Sequence, residues 1–130
     1  MRAMSMLLGA CLIFVAGFAG SAGADEAPKV ISVLSIDTGG DLKGFLVFAK
    51  RAREINSKHG SRGVQRVWQA GLAGEGVGSV FVGVEYPSLV AYAQDTSKVN
   101  ATPEWQAFVA DFQKSGMRVV SASLSTEVTP

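Results

Sequence analysis

Two runs rich in β-branched and aromatic residues, 64–72 and 79–86, constrain this chain more than any other feature. Between them lie Gly74, Gly76 and Gly78. Glycine takes positive φ at little cost, so this segment can reverse direction and residues 64–86 read as a long β-hairpin. If Ala73 lies opposite Val77, the expected pairs are Leu72–Gly78, Ala70–Val80, Trp68–Val82, Arg66–Val84 and Val64–Tyr86. Side chains alternate across a strand. One face would then carry Val64, Arg66, Trp68, Ala70, Val80, Val82, Val84 and Tyr86, apolar enough to sit beneath helices. The other would carry Gln65, Val67, Gln69, Phe81, Gly83 and Glu85, a mixed surface suited to a partly wet cavity or an interface. A single bulge would exchange the faces of one arm, because a one-residue slip turns every side chain over. The glycines do not form a phosphate cradle: that needs a helix N-terminus after the loop, and here a strand follows.

The chain opens as an export signal does. Arg2 supplies a positive charge, residues 7–18 are continuously apolar or small, and Ala22-Gly23-Ala24 offers small residues for cleavage. The apolar run is short for a membrane span. Cleavage is expected after Ala24, with residues 1–24 a signal peptide and 25–130 a single domain, periplasmic or secreted. Leu8-Gly9-Ala10-Cys11 faintly resembles a lipoprotein box, but the apolar stretch runs on through Phe18, where that box would end it. The whole chain has 12 basic and 11 acidic side chains, and losing Arg2 brings the two into balance. A near-neutral domain has no electrostatic footprint for nucleic acid, and none for an acidic membrane once the signal is gone. The sole cysteine, Cys11, leaves with the signal. Stability must then come from packing or oligomerisation rather than disulfides.

Residues 29–37 are apolar at both parities, as in a strand buried on both sides. Asp41 is placed to cap a helix reaching about His59, with Leu42, Phe45, Leu46, Ala49 and Ala52 along one face and Gly60 as its stop. After the hairpin, Leu89, Tyr92 and Ala93 begin a second helical region. Its pattern lapses over residues 95–101, which reads as an inter-helix connection or a mobile lid. Thr102-Pro103-Glu104 is a strong helix start, Trp105, Phe108, Val109 and Phe112 form a face, and Gly116 ends it. Residues 117–128 are the last strand. The order is that of a ferredoxin-like βαββαβ domain: α+β, a four-stranded antiparallel sheet with helices on one face. About 106 residues leave no second layer for the other face, so dimerisation is the economical way to cover it.

Val-Trp-Gln-Ala before the glycines, Val-Gly-Val-Glu-Tyr-Pro-Ser-Leu after them, then Pro-Glu-Trp-Gln-Ala-Phe and Arg-Val-Val-Ser resemble the dimeric α+β barrel superfamily. The NIPSNAP-like proteins and the antibiotic-biosynthesis-monooxygenase relatives are the nearest in look, over roughly residues 30–128. The resemblance implies two ferredoxin-like subunits forming a barrel with a cavity in each half. Members include cofactor-free oxygenases, haem-degrading enzymes and decarboxylases. No catalytic motif carries over residue by residue, and the surroundings of His59 do not match those of the haem-ligating histidine. The resemblance speaks for the fold rather than for an activity.

His59 is the only histidine. Set at a helix C-terminus, where the dipole favours its cation, it reads as a helix-end residue, with ligation or general-base work as the sharper reading. A zinc site needs several ligands together, and one histidine with scattered carboxylates does not supply them. No serine sits in a Gly-x-Ser-x-Gly turn. By the register above, Gln65, Gln69 and Glu85 share a face with Phe81 and could orient a small ligand, or could be interface groups satisfied by a second subunit. Trp68, Tyr86 and Trp105 read as core. Arg66, odd on an apolar face, would snorkel from the strand edge or pair with Glu104 or Asp111. The expectation is an exported homodimer binding a small apolar or aromatic molecule, with no cofactor and no metal. A cofactor-independent monooxygenase and a ligand-free structural or interaction module are the alternatives.

Overall fold

The computed structural model describes residues 27–71 and 78–130. Strands β1 (Val30–Asp37), β2 (Val64–Gln69), β3 (Val80–Tyr86) and β4 (Arg118–Thr126) form one sheet in the order β2-β3-β1-β4. Every neighbouring pair is antiparallel. Helix α1 (Leu42–Lys58) joins β1 to β2, and the crossover from β3 to β4 is divided into α2 (Leu89–Asn100) and α3 (Pro103–Lys114). This is the ferredoxin-like arrangement that the order of elements demanded. The expected export signal, its expected cleavage site and the expected glycine turn at residues 74–76 lie outside the described residues.

The helices start where short polar side chains can satisfy free backbone N–H groups. Asp41 accepts from Gly44 at 2.9 Å, Ser88 from Ala91 at 3.0 Å and Thr102 from Trp105 at 3.2 Å. Past the ends of α1 and α3, Gly60 and Gly116 take φ of 72° and 81°. Residues 95–100 correct the sequence reading, for they continue α2 rather than forming a connection or a lid. The apolar pattern lapses there because the inward position is held by an ion pair. Asp95 is buried against Arg62, with Val99 buried one turn on.

The core lies between α1 and the sheet, around Ile36, Phe45, Ala49, Val80 and Met117, with Leu34, Val67, Val82 and Phe112 packed against it. An aromatic seam joins α1 to α3: Phe48 meets Phe108 and Phe112 edge-on, at centroid distances of 6.0 and 5.6 Å. Trp105 stacks on Phe108 at 4.8 Å. Tyr86 packs edge-on against Tyr92 of α2.

The hairpin forms, but one residue out of the expected register. Val67 faces Val82, Trp68 faces Phe81 and Arg66 faces Gly83. Beyond β2, Ala70 N–H donates to the Ser79 carbonyl and Gly78 N–H to the Ala70 carbonyl, both at 2.9 Å. The shift turns the first arm over. Gln65, Val67 and Gln69 join the helix-covered face with Val80 and Val82, while Val64, Arg66 and Trp68 join Phe81, Gly83 and Glu85 on the opposite face. Packing decides the matter: Val67 completes the core beneath α1, and Trp68 finds room over Gly83. A register shift between Ser35 and Ile36 changes the phase of β4 as well. Strand β1 is correspondingly covered on one side only. Val30 and Ile36 are buried, whereas Ile31 and Val33 point to the uncovered face and remain half-buried.

Candidate functional site: the open face of the sheet

Pairing across the four strands sets side chains on the open face in three rungs. The first is Val64, Glu85, Ile31 and Ser125; the second is Arg66, Gly83, Val33 and Ser123; the third is Trp68, Phe81, Ser35 and Ser121. The β2 and β3 side carries the aromatic rings and both charges. The β4 side is a column of three hydroxyls. Trp68 is 45% exposed and Val64 53%, although both are large and apolar. The indole of Trp68 lies across Gly83, so closely that a Cβ there would be 2.5 Å from its Cζ3. Ile31 borders the same spot, 3.4 Å from that position. Glu85 has Lys29 for a neighbour at 3.6 Å, an exposed and weak contact.

The five residues singled out in the sequence are not brought together. Phe81 and Glu85 stand on the open face. Gln65 lies on the other side of the sheet, where its amide donates to the Ala49 carbonyl of α1 at 2.9 Å; it ties β2 to the helix layer. Gln69 is exposed and borders an open cleft of about 500 Å³ shared with Ser35, Thr38, Leu42 and Val120. His59 caps α1, with Nε2 buried and 3.4 Å from Glu104 Oε1, which accepts from Lys58 at 2.9 Å. That hydrogen bond holds the Glu104 carboxyl below the usual range. Arg66 also departs from expectation. Glu104 is taken by Lys58 and Asp111 by Arg51, and Arg66 stands exposed on the open face. Trp68, expected in the core, is there too, whereas Tyr86 and Trp105 do pack among the helices.

The strongest polar cluster is structural. Asp95 accepts from the Arg62 backbone at 2.8 Å and from its guanidinium at 3.1 and 3.0 Å, which lowers its carboxyl pKa. Among the described residues no group of three or more His, Cys, Asp or Glu is placed to hold a metal, and no helix is long and apolar enough to cross a membrane. The open face presents flat apolar area, one guanidinium, one carboxylate and hydroxyls. It can bind and orient, and among the described residues it sets no acid against a base for proton transfer.

Similar folds occur among solved structures. A NIPSNAP family protein from Agrobacterium tumefaciens superposes with a TM-score of 0.58 at 14% identity, over 83% of this chain and 91% of that one. A NIPSNAP domain protein from Burkholderia xenovorans gives 0.58 at 17% identity, over 78% and 94%. This chain has the NIPSNAP-type fold. A proposed monooxygenase from Shewanella loihica gives 0.53 at 13% identity, over 82% of this chain and all of that one. No family model and no curated protein matches the sequence. The sequence resemblance to NIPSNAP-like and monooxygenase-like proteins therefore holds at the level of the fold. One of the Agrobacterium structures is itself described as a protein of unknown function. What the NIPSNAP-type fold contributes is a frame: helices on one side, and a sheet face left for other use.

Hydroxyl spacing was the signal available in the sequence for this face. Ser121, Ser123 and Ser125 alternate in phase, and Gly83 interrupts a run of valines at the place where Trp68 needs space.

Proposed function

We propose that the mature protein is an exported homodimer that holds a small apolar or aromatic molecule against the open sheet face. The carrying observation is that face itself: Ile31, Val33, Phe81 and Trp68 gather around Gly83 on the side of the sheet opposite the helices, with Val64 beyond Arg66. Exposed apolar area of this kind on a small domain marks a binding surface. A second copy laid over the face removes this area from water, and a two-fold arrangement needs only one self-complementary patch. The hydroxyl column and the two charges keep parts of such a cavity polar enough to orient a ligand. Export rests on the leader at residues 1–24, and a separate cofactor is no part of this reading.

The monooxygenase-like reading draws on the Shewanella neighbour. It ranks second because, among the described residues, the one carboxylate on the three rungs, Glu85, lies beside Lys29 and is matched by no partner acid. Native mass spectrometry on the chain purified from the exported compartment tests the proposal. A dimer of chains beginning at Asp25, carrying extra bound mass, is the expected result. A monomer overturns the dimer, a bare dimer overturns the retained ligand, and a chain still beginning at Met1 overturns export.

A further inference from the structure

We infer that Arg66 is a carboxylate anchor, so that the ligand of the open face is an aromatic or otherwise apolar acid; this rests on the dimeric, ligand-holding reading above. The described residues include five arginines, and four of them have partners. Arg51 pairs with Asp111 at 2.7 Å, Arg62 with Asp95 at 3.0 Å and Arg118 with Asp37 at 3.2 Å, while Arg53 donates to the Gln65 carbonyl at 3.5 Å. Arg66 alone has neither a hydrogen bond nor an ion pair among the described residues. The one carboxylate on the three rungs, Glu85, stands a rung away and lies beside Lys29 instead.

An exposed arginine on a solvated surface needs no partner. Arg66 is different because its neighbours are Val64, Trp68, Gly83 and Val33, the surface that a second copy would cover. Enclosing an unpaired guanidinium is costly, so a negative charge must enter with the cover. A carboxylate meets the planar donor fork with two parallel hydrogen bonds. On the next rung, Trp68 and Phe81 supply flat apolar area for a ring system. Across the sheet, three strand spacings or about 14 Å away, the β4 column offers hydroxyls to a polar substituent at the far end of the ligand. Along the second rung the order is Arg66 on β2, Gly83 on β3 with the Trp68 indole lying over it, Val33 on β1 and Ser123 on β4, so the guanidinium adjoins an aromatic and aliphatic floor with a hydroxyl at its far end.

Isothermal titration of the mature protein with 2-naphthoate and with 2-naphthamide, which has the same outline without the charge, tests the assignment. The acid is expected to bind at least about ten-fold more tightly, the worth of a hydrogen-bonded charge. Arg66→Gln is expected to abolish the preference for the acid over the amide while the protein remains a dimer. Arg66→Lys restores part of the preference. Equal binding of the two probes, binding of neither, or a preference surviving in Arg66→Gln overturns the assignment. So does a dimer that falls apart in Arg66→Gln, since Arg66 would then be an interface contact. A monomeric wild type removes the dimeric reading whatever the titration gives. A dimer that binds both probes alike keeps that reading and removes only the acid.

Discussion

Gly83 and Trp68 fit together as space and filler: the indole lies where any side chain at position 83 would have to stand. Trp68 is paired not with Gly83 but with Phe81, so the ring reaches diagonally along β3 to cover the gap. Gly83→Ala is expected to push the indole off the sheet and to lower stability by about 1 kcal/mol, modest because the ring is half exposed and can rotate away. The loss should vanish in a Trp68→Ala background, where no ring competes for the space. Chemical denaturation of the four chains in the double-mutant cycle measures it. A loss of equal size in both backgrounds would show that Gly83 matters for the backbone alone.

The same pair explains where sequence reading stopped. Helix starts at Asp41 and Thr102 and stops at Gly60 and Gly116 were legible because capping chemistry is local. The sheet order followed from the succession of elements. The hairpin register was not local. Residues 64–69 present Val64, Arg66 and Trp68 at one parity and Gln65, Val67 and Gln69 at the other, and neither set is plainly the core set. Only the demand of α1 for Val67, together with the room over Gly83, selects one of them. Likewise the polar run at residues 95–100 concealed a helix, because its inward residue is an aspartate whose partner lies 33 positions away. The candidate site inherited the register error, which is why Gln65 and Gln69 separate from Phe81 and Glu85.

Asp95 joins α2 to the segment between α1 and β2. Hydrogen bonds from Arg62 hold its carboxyl below the ordinary range, so the folded state binds its proton less readily than the unfolded chain does. The resulting stability is fully present above the ordinary carboxylate pKa, about 4, and is lost as pH falls through the lower folded value. Glu104, held low first by Lys58, and Asp37, held low first by the Gly39 N–H, act in the same direction. Asp95→Asn is expected to cost about 2 kcal/mol at neutral pH, the scale of hydrogen bonds to a charged group, and to flatten the fall of stability below pH 4. Urea midpoints from pH 7 to pH 3 for both chains check this. An undiminished slope in the variant would place the acid sensitivity elsewhere.

Gly63 sits where β2 begins beneath α2. A Cβ there would come within 2.6 Å of Val84 Cγ1 and 2.8 Å of Tyr86 Cζ. Tyr86 is only 4% exposed and is braced by Tyr92, so unlike Trp68 it has nowhere to turn. Gly63→Ala is expected to cost about 2–3 kcal/mol, the upper range for overpacking a filled core. A loss of thermal stability larger than that of Gly83→Ala is the signature sought. Equal losses would mean that the β2 start can shift as easily as an exposed ring.

Val33 occupies the middle of the open face on β1, opposite Gly83 on one side and Ser123 on the other. Its side chain points away from the core of Ile36, Phe45, Ala49, Val80 and Met117. Val33→Lys therefore separates two properties. The isolated domain should keep its fold, since the lysine head can reach water from an uncovered surface. A dimer closed over the face would have to bury two added charges near its centre without partners, a penalty of several kcal/mol. Light scattering coupled to size exclusion is expected to give a dimer for the wild type and a monomer for Val33→Lys, with unchanged far-ultraviolet circular dichroism. A Val33→Lys chain that stays dimeric would move the interface off this face, leaving the exposed β4 edge, with Val119, Val120 and Leu124, as the surface to alter next.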